Sequence, residues 1–262
     1  MATAATQNTH TDPSASGTDT RFFLIMAVIM SLVIVTGFSF QFAMGRSSIN
    51  AAWPFHLHGA MFMGWTGLYL AQHMLIAKGN RALHANLGKL SYVLIPAMLA
   101  TGGLIMMVSM RTTGGPFFFA TNEFLWGNTA VLLSFGGLAF AALKSRRHLG
   151  WHRRLMLCSM AVLTGPAIGR LLPLPLVIPY SWIIATTPCL FFPLIGMLAD
   201  KRKRGAIHPA YWWGAGVYAA ALALAFAVSY TSFGIAVTQW LIAGTAGAER
   251  PMEAFLPPGF SI

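Results

Sequence analysis

The run from Pro54 to Ala77 contains no Asp, Glu, Lys or Arg, and it is long enough and apolar enough to span a bilayer. It nevertheless carries His56, His58 and His73. Ionisable groups inside a membrane are costly and tend to mark a pathway or a site. A short basic turn with Lys78, Arg81, His84 and Lys89 follows at once. One stretch thus constrains the fold, a helix in lipid, and the place where function should be sought.

The rest of the chain agrees. Of its 262 residues 56% are hydrophobic and only 9% charged, which is far too apolar for a soluble domain of this size. The mean hydropathy of +0.64 and the repeated uncharged runs indicate an all-α integral membrane protein. A formal charge of +11 would suggest nucleic acid in a soluble protein, because basic surfaces neutralise phosphates. Here the cations sit in short turns between apolar runs, where they set orientation, so nucleic acid is excluded as a partner. Cys158 and Cys189 fall inside apolar runs with no CxxC or zinc-type spacing, and read as buried helix residues.

Residues 1–20, rich in Ala, Thr and Ser with Asp12 and Asp19, read as a disordered N-terminal tail. They lack the basic segment of a secretory signal, so the run Phe22–Met44 is expected as a retained first span. Residues 21–240 form the transmembrane domain, and 241–262 an extracytoplasmic C-terminal tail. Seven transmembrane helices are expected. After the first come Pro54–Ala77, Leu90–Met110, Glu123–Leu143, Leu155–Leu172, Val177–Leu198 and Tyr211–Val237, with spans two to five as the central bundle. Trp53, Trp126, Trp151, Trp212, Trp213 and Trp240 lie near span ends, as an interfacial belt requires. Pro173, Pro175 and Pro179 follow span five, so an irregular corner is expected there, with kinks at Pro188 and Pro193 in span six. Turns after spans two, four and six hold most of the Lys and Arg, including Arg81, Arg153, Arg154, Lys203 and Arg204. The positive-inside rule then places the N-terminus in the cytoplasm and the C-terminus outside, in a plasma (inner) membrane.

A short pattern, H-x-x-L-x-x-x-S, occurs at His84–Ser91 and again at His152–Ser159, each followed by a Thr-Gly, Thr101-Gly102 and Thr164-Gly165. Spans two–three and four–five therefore fit two copies of one helical hairpin, and equally fit chance recurrence in low-complexity apolar sequence.

His58 and His73 are separated by about 22 Å of helix rise and lie broadly on one face. That suits two sites stacked across a bilayer, as in an electron carrier with b-type haem, for which neutral imidazole is a normal ligand. On the cytoplasmic side His73 and His152 are the preferred ligand pair, His84 the rival, and Arg81, Arg153 and Arg154 candidate partners for the propionates. His58 is the outer candidate, with Met44 or Met61 as a second ligand. Histidines near both faces of four or more apolar spans resemble the cytochrome b561 class, which implies two haems held between four helices. That class supplies histidine pairs from different helices, whereas spans three to five here have no interior histidine. The segments around Gly79, Leu83, His84, Leu87 and Gly88, and WHRRLM at Trp151–Met156, also resemble segments of uncharacterised bacterial multi-span membrane proteins, a likeness that implies no activity.

Two further constellations stand out. His58 with Met61 and Met63 offers imidazole and thioether ligands suited to Cu(I). Glu123 and Arg170, near the outer ends of spans four and five, are expected to form an ion pair. HExxH, nucleophile triads, phosphate loops and di-iron histidine boxes are absent. A membrane redox component with haem b is the leading expectation. The alternative is a non-catalytic accessory or transport protein whose histidines and basic turns contact anionic lipid head groups, a membrane-protein partner or a second copy.

Overall fold

Helix boundaries in this chain fall where the local chemistry of caps and breakers puts them. Pro54 sits in the first turn of the helix Trp53–Ala77, where its missing N–H removes no bond. The Asn80 side chain accepts from Leu83 N at 3.1 Å and starts a short helix. The helix Ser91–Thr113 stops at Gly114, whose φ of 71° is the left-handed conformation that favours glycine. Thr231 caps the last helix by accepting from Gly234 N at 3.0 Å.

The computed structural model describes residues 17–260, and among the described residues there are helices and turns and no strand. In chain order the helices are α1 (Gly17–Ala43), α2 (Trp53–Ala77), α3 (Arg81–Gly88), α4 (Ser91–Thr113) and α5 (Thr121–Lys144). There follow α6 (Leu149–Leu171), α7 (Ser181–Thr186), α8 (Phe191–Arg204), α9 (Pro209–Ser229) and α10 (Ser232–Ile242). Five helical segments are long and apolar enough to cross a membrane: Asp19–Ala43, Arg81–Thr113, Thr121–Lys144, Ser181–Arg204 and Pro209–Ser229. Their outward faces carry large apolar side chains, with Leu32, Val93, Leu133 and Leu224 all 60% exposed or more. That is a surface built for lipid. α2 and α6 match these segments in length, at 25 and 23 residues, but the histidines of one and the arginines of the other lower their hydropathy.

α6 is the hub. It packs on α1, α5 and α9 and on the broken segment of α7 and α8. α1, α2, α4, α5 and α6 close a ring in that order, so the expected central group of spans two to five is joined by α1. α1 and α6 run in the same direction, since Arg153 lies over Phe23 at one end and Gly37 abuts the Ala167 backbone at the other. α5 runs against α6: Ser159 Oγ donates to Phe135 O at 3.0 Å, and His152 lies beside Ala142. Met30, Ile34, Phe135, Leu157 and Met160 fill the interface with no solvent exposure.

Several boundaries differ from those read in the sequence. Residues 17–20 of the expected tail are helical, and 1–16 lie outside the described residues. The expected seventh span, Tyr211–Val237, is interrupted at Tyr230 and Thr231, where α9 gives way to α10. The sixth is broken as well, by a 3₁₀ turn over Pro188–Leu190, because Pro188 withholds a helix hydrogen bond. The irregular corner does follow the fifth span: α6 continues through Pro166 to Leu171, and a 3₁₀ turn covers Leu174–Val177. The segment 241–260 begins inside α10 and then folds back. Arg250 donates to the carbonyls of Gly114, Gly115, Pro116 and Phe119 at 2.8–3.2 Å, and Phe255 N donates to Phe117 O.

The two stretches with the H-x-x-L-x-x-x-S pattern are built differently. His84 lies in α3, ahead of Ser91 at the start of α4, whereas His152 and Ser159 share α6. Trp53, Trp212, Trp213 and Trp240 are exposed at helix ends as a belt requires. Trp126 instead donates to Gly234 O at 3.1 Å.

Candidate functional site

Three of the four candidate histidines meet at one corner of the bundle, on the face that also carries the basic turns. His73 comes from the last turns of α2, His84 from the middle of α3, and His152 from the first turn of α6. The His84 and His152 ring centres are 6.5 Å apart, and His73 is close enough to both for their charges to interact.

Hydrogen bonding fixes the tautomers. His73 Nδ1 lies 2.9 Å from Tyr69 O, and His152 Nδ1 lies 2.8 Å from Ala142 O. A carbonyl only accepts, so both rings donate through Nδ1 and keep the lone pair on Nε2. That is how a metal-ligating imidazole is usually oriented by its surroundings. His84 differs. With its carboxamide oriented to satisfy both ends, Gln72 donates to His84 O at 3.1 Å and to His84 Nδ1, and accepts from Gly88 N at 2.9 Å. A neutral His84 then carries its proton on Nε2 and presents a donor. At this corner His73 and His152 therefore offer an acceptor nitrogen each and His84 a donor. Among the described residues no three His, Cys, Asp or Glu side chains gather closely enough to hold a metal ion by themselves.

The arginines expected beside this corner are otherwise engaged. Arg154 is 1% exposed and donates through Nε and Nη2 to Asp200, both at 2.7 Å. Arg153 Nη2 donates to Asp19 at 2.9 Å. Arg204 joins the two acids, bonding Asp200 at 2.6 Å and also Asp19, and His208 N donates to Asp200 at 3.3 Å. Asp19 and Asp200 thus tie the starts of α1, α6 and α9 to the end of α8, and Arg153 and Arg154 serve that lock. Arg81 is exposed at the start of α3. Arg146, which the sequence did not single out, donates to Tyr92 Oη at 3.3 Å and lies within electrostatic reach of His152.

His58 is at the other end of α2. Its Nδ1 is buried without a hydrogen-bond partner, and its ring lies 5.8 Å from that of Phe62. The expected ion pair between Glu123 and Arg170 does not form. Glu123 Oε1 accepts from Tyr230 Oη at 2.6 Å, because the break between α9 and α10 brings that phenol over the start of α5. Arg170 instead donates to Pro166 O at 2.8 Å and lies 4.3 Å above the Phe38 ring.

The chain matches no protein-family model, no curated protein and no solved structure.

Proposed function

We propose that the protein is a membrane redox component that binds a b-type haem at the basic face, which His73 and His152 would hold through Nε2. The observation that carries this reading is the paired hydrogen bonding of these rings. Each gives its Nδ1 proton to a main-chain carbonyl and keeps the lone pair on Nε2, the orientation in which a metal-ligating imidazole is usually held. A haem held there supplies one-electron chemistry. The protein's own contribution is orientation: Tyr69 O and Ala142 O fix the two rings, and His84, held by Gln72, offers a hydrogen-bond donor beside them. With Arg153 and Arg154 committed to Asp19 and Asp200, Arg81 and Arg146 are the cations left to meet a propionate.

In this reading α2 and α6 also cross the membrane, giving seven crossings, because they are full-length members of the ring formed with α1, α4 and α5. The basic face is cytoplasmic by the positive-inside rule, and exposed Lys78, Lys144, Arg147 and Arg202 meet anionic head groups there.

The test is haem content per protein in purified membranes for single alanine substitutions at His73, His84 and His152. Loss at His73 and His152 with retention at His84 supports the assignment. Full retention in all three leaves the reading in which these histidines only contact lipid or partner subunits.

A further inference from the structure

At the face opposite the histidine corner, Arg170 is a cation near the end of α6 whose nearest acidic candidate, Glu123, is bound elsewhere. No Asp or Glu of the described residues lies within ion-pair distance of it. One of its five N–H donors is used locally, on Pro166 O. The guanidinium is half-buried and lies over the ring of Phe38 of α1, with its carbon 4.3 Å from the ring centre. Phe38 contacts Phe62 of α2 at 5.6 Å between ring centres, and Phe62 contacts His58 at 5.8 Å. Arg170 and His58 are close enough for their charges to interact, and His58 Nδ1 is a buried polar atom with no protein partner.

Each of these features is unfavourable alone. A guanidinium half-withdrawn from water gains less from an aromatic face than from a matched anion. A buried ring nitrogen with no partner forfeits the hydrogen bond it would have made to water. Together they place a cationic fork and an imidazole within electrostatic reach of one another, with the Phe38 and Phe62 rings in contact beside them. A fork of parallel N–H groups matches the spacing of two oxygens on one carboxyl or phosphoryl group.

We propose that Arg170 and His58, between the ends of α1, α2 and α6, form a binding site for a single oxyanion, a phosphate or carboxylate group that accepts from the Arg170 fork. Two sources present this chemistry, a free anion from the aqueous side and the head group of an anionic lipid. The site stands apart from the histidine corner and does not depend on what binds there.

The purified protein in uncharged detergent is titrated calorimetrically with inorganic phosphate, short-chain phosphatidylglycerol and short-chain phosphatidylcholine. Saturable binding of phosphatidylglycerol at least tenfold tighter than phosphatidylcholine is expected. Binding of phosphate as well assigns the site to free oxyanions, and its failure to bind assigns the site to a lipid head group. Arg170→Gln should weaken the bound probe at least tenfold, and His58→Phe several-fold. Should Arg170→Gln not fold, Arg170→Lys keeps the charge but loses the fork, and at least threefold weaker binding is expected. No saturable binding to the unmodified protein, or equal affinity in the variants that fold, overturns the proposal. Haem content should be unchanged in Arg170→Lys, which separates this site from the other.

Discussion

Breaking the Arg154–Asp200 pair should destabilise the protein unequally, depending on which partner is removed. In Arg154→Met the orphan is Asp200, which still accepts from Arg204 at 2.6 Å and from His208 N at 3.3 Å. In Asp200→Leu the orphan is Arg154, 1% exposed, with only Gly150 O at 3.0 Å and the Tyr211 ring at 5.6 Å left around it. Removing one partner of a buried pair costs about 3–5 kcal/mol. Arg154→Met belongs at the lower end and Asp200→Leu at the upper. At about 2–4 °C per kcal/mol for a chain of this size, the losses correspond to roughly 6–12 °C and 10–20 °C in Tm. Cys158 and Cys189, 2% and 1% exposed, supply the assay, because a thiol-reactive dye labels them only when the bundle opens. The double variant should lose little more than Asp200→Leu alone, since the two charges act as one unit. Losses below about 1 kcal/mol, additive losses, or the reverse order would refute the reasoning.

Tyr230→Phe leaves Glu123 without its 2.6 Å hydrogen bond and should cost about 1–3 kcal/mol in the same assay, largely recovered by adding Glu123→Leu. Gly127→Ala drives a methyl group into the Trp182 ring and should cost about 1–3 kcal/mol, with partial rescue by Trp182→Phe. Arg250→Ala removes a cation bonded to several carbonyls of the α4–α5 connection and should cost about 2 kcal/mol locally, seen as faster protease cleavage around residues 114–119 and 250–255.

Much of the helical order was legible because an apolar run in lipid has few alternatives to a helix. The corner of His73, His84 and His152 followed from helix rise and the shortness of the connecting turns. What escaped sequence reading depended on contacts between distant positions. Asp19 lay in a polar segment that reads as a tail, and only its neighbours Arg153 and Arg204, far along the chain, reveal it as part of a lock. Asp200 carried a usable signal: one acid among Lys201, Arg202, Lys203 and Arg204, with Arg204 one helical turn away. Glu123 and Arg170 were paired because both lie near outer span ends, but Tyr230 was hidden inside a run that reads as one continuous helix. Gln72 gave no signal, since a lone carboxamide in an apolar run does not announce which ring it will hold.

The proposed haem would be held by His73 and His152 through Nε2. The most direct measurement is the reduced-minus-oxidised absorption spectrum of the unmodified protein, purified in mild detergent from cells supplied with haem precursor. The expected result is a b-type difference spectrum at one or more haems per chain that disappears in His152→Ala. A colourless protein under those conditions, or a spectrum unchanged by His152→Ala, would contradict it.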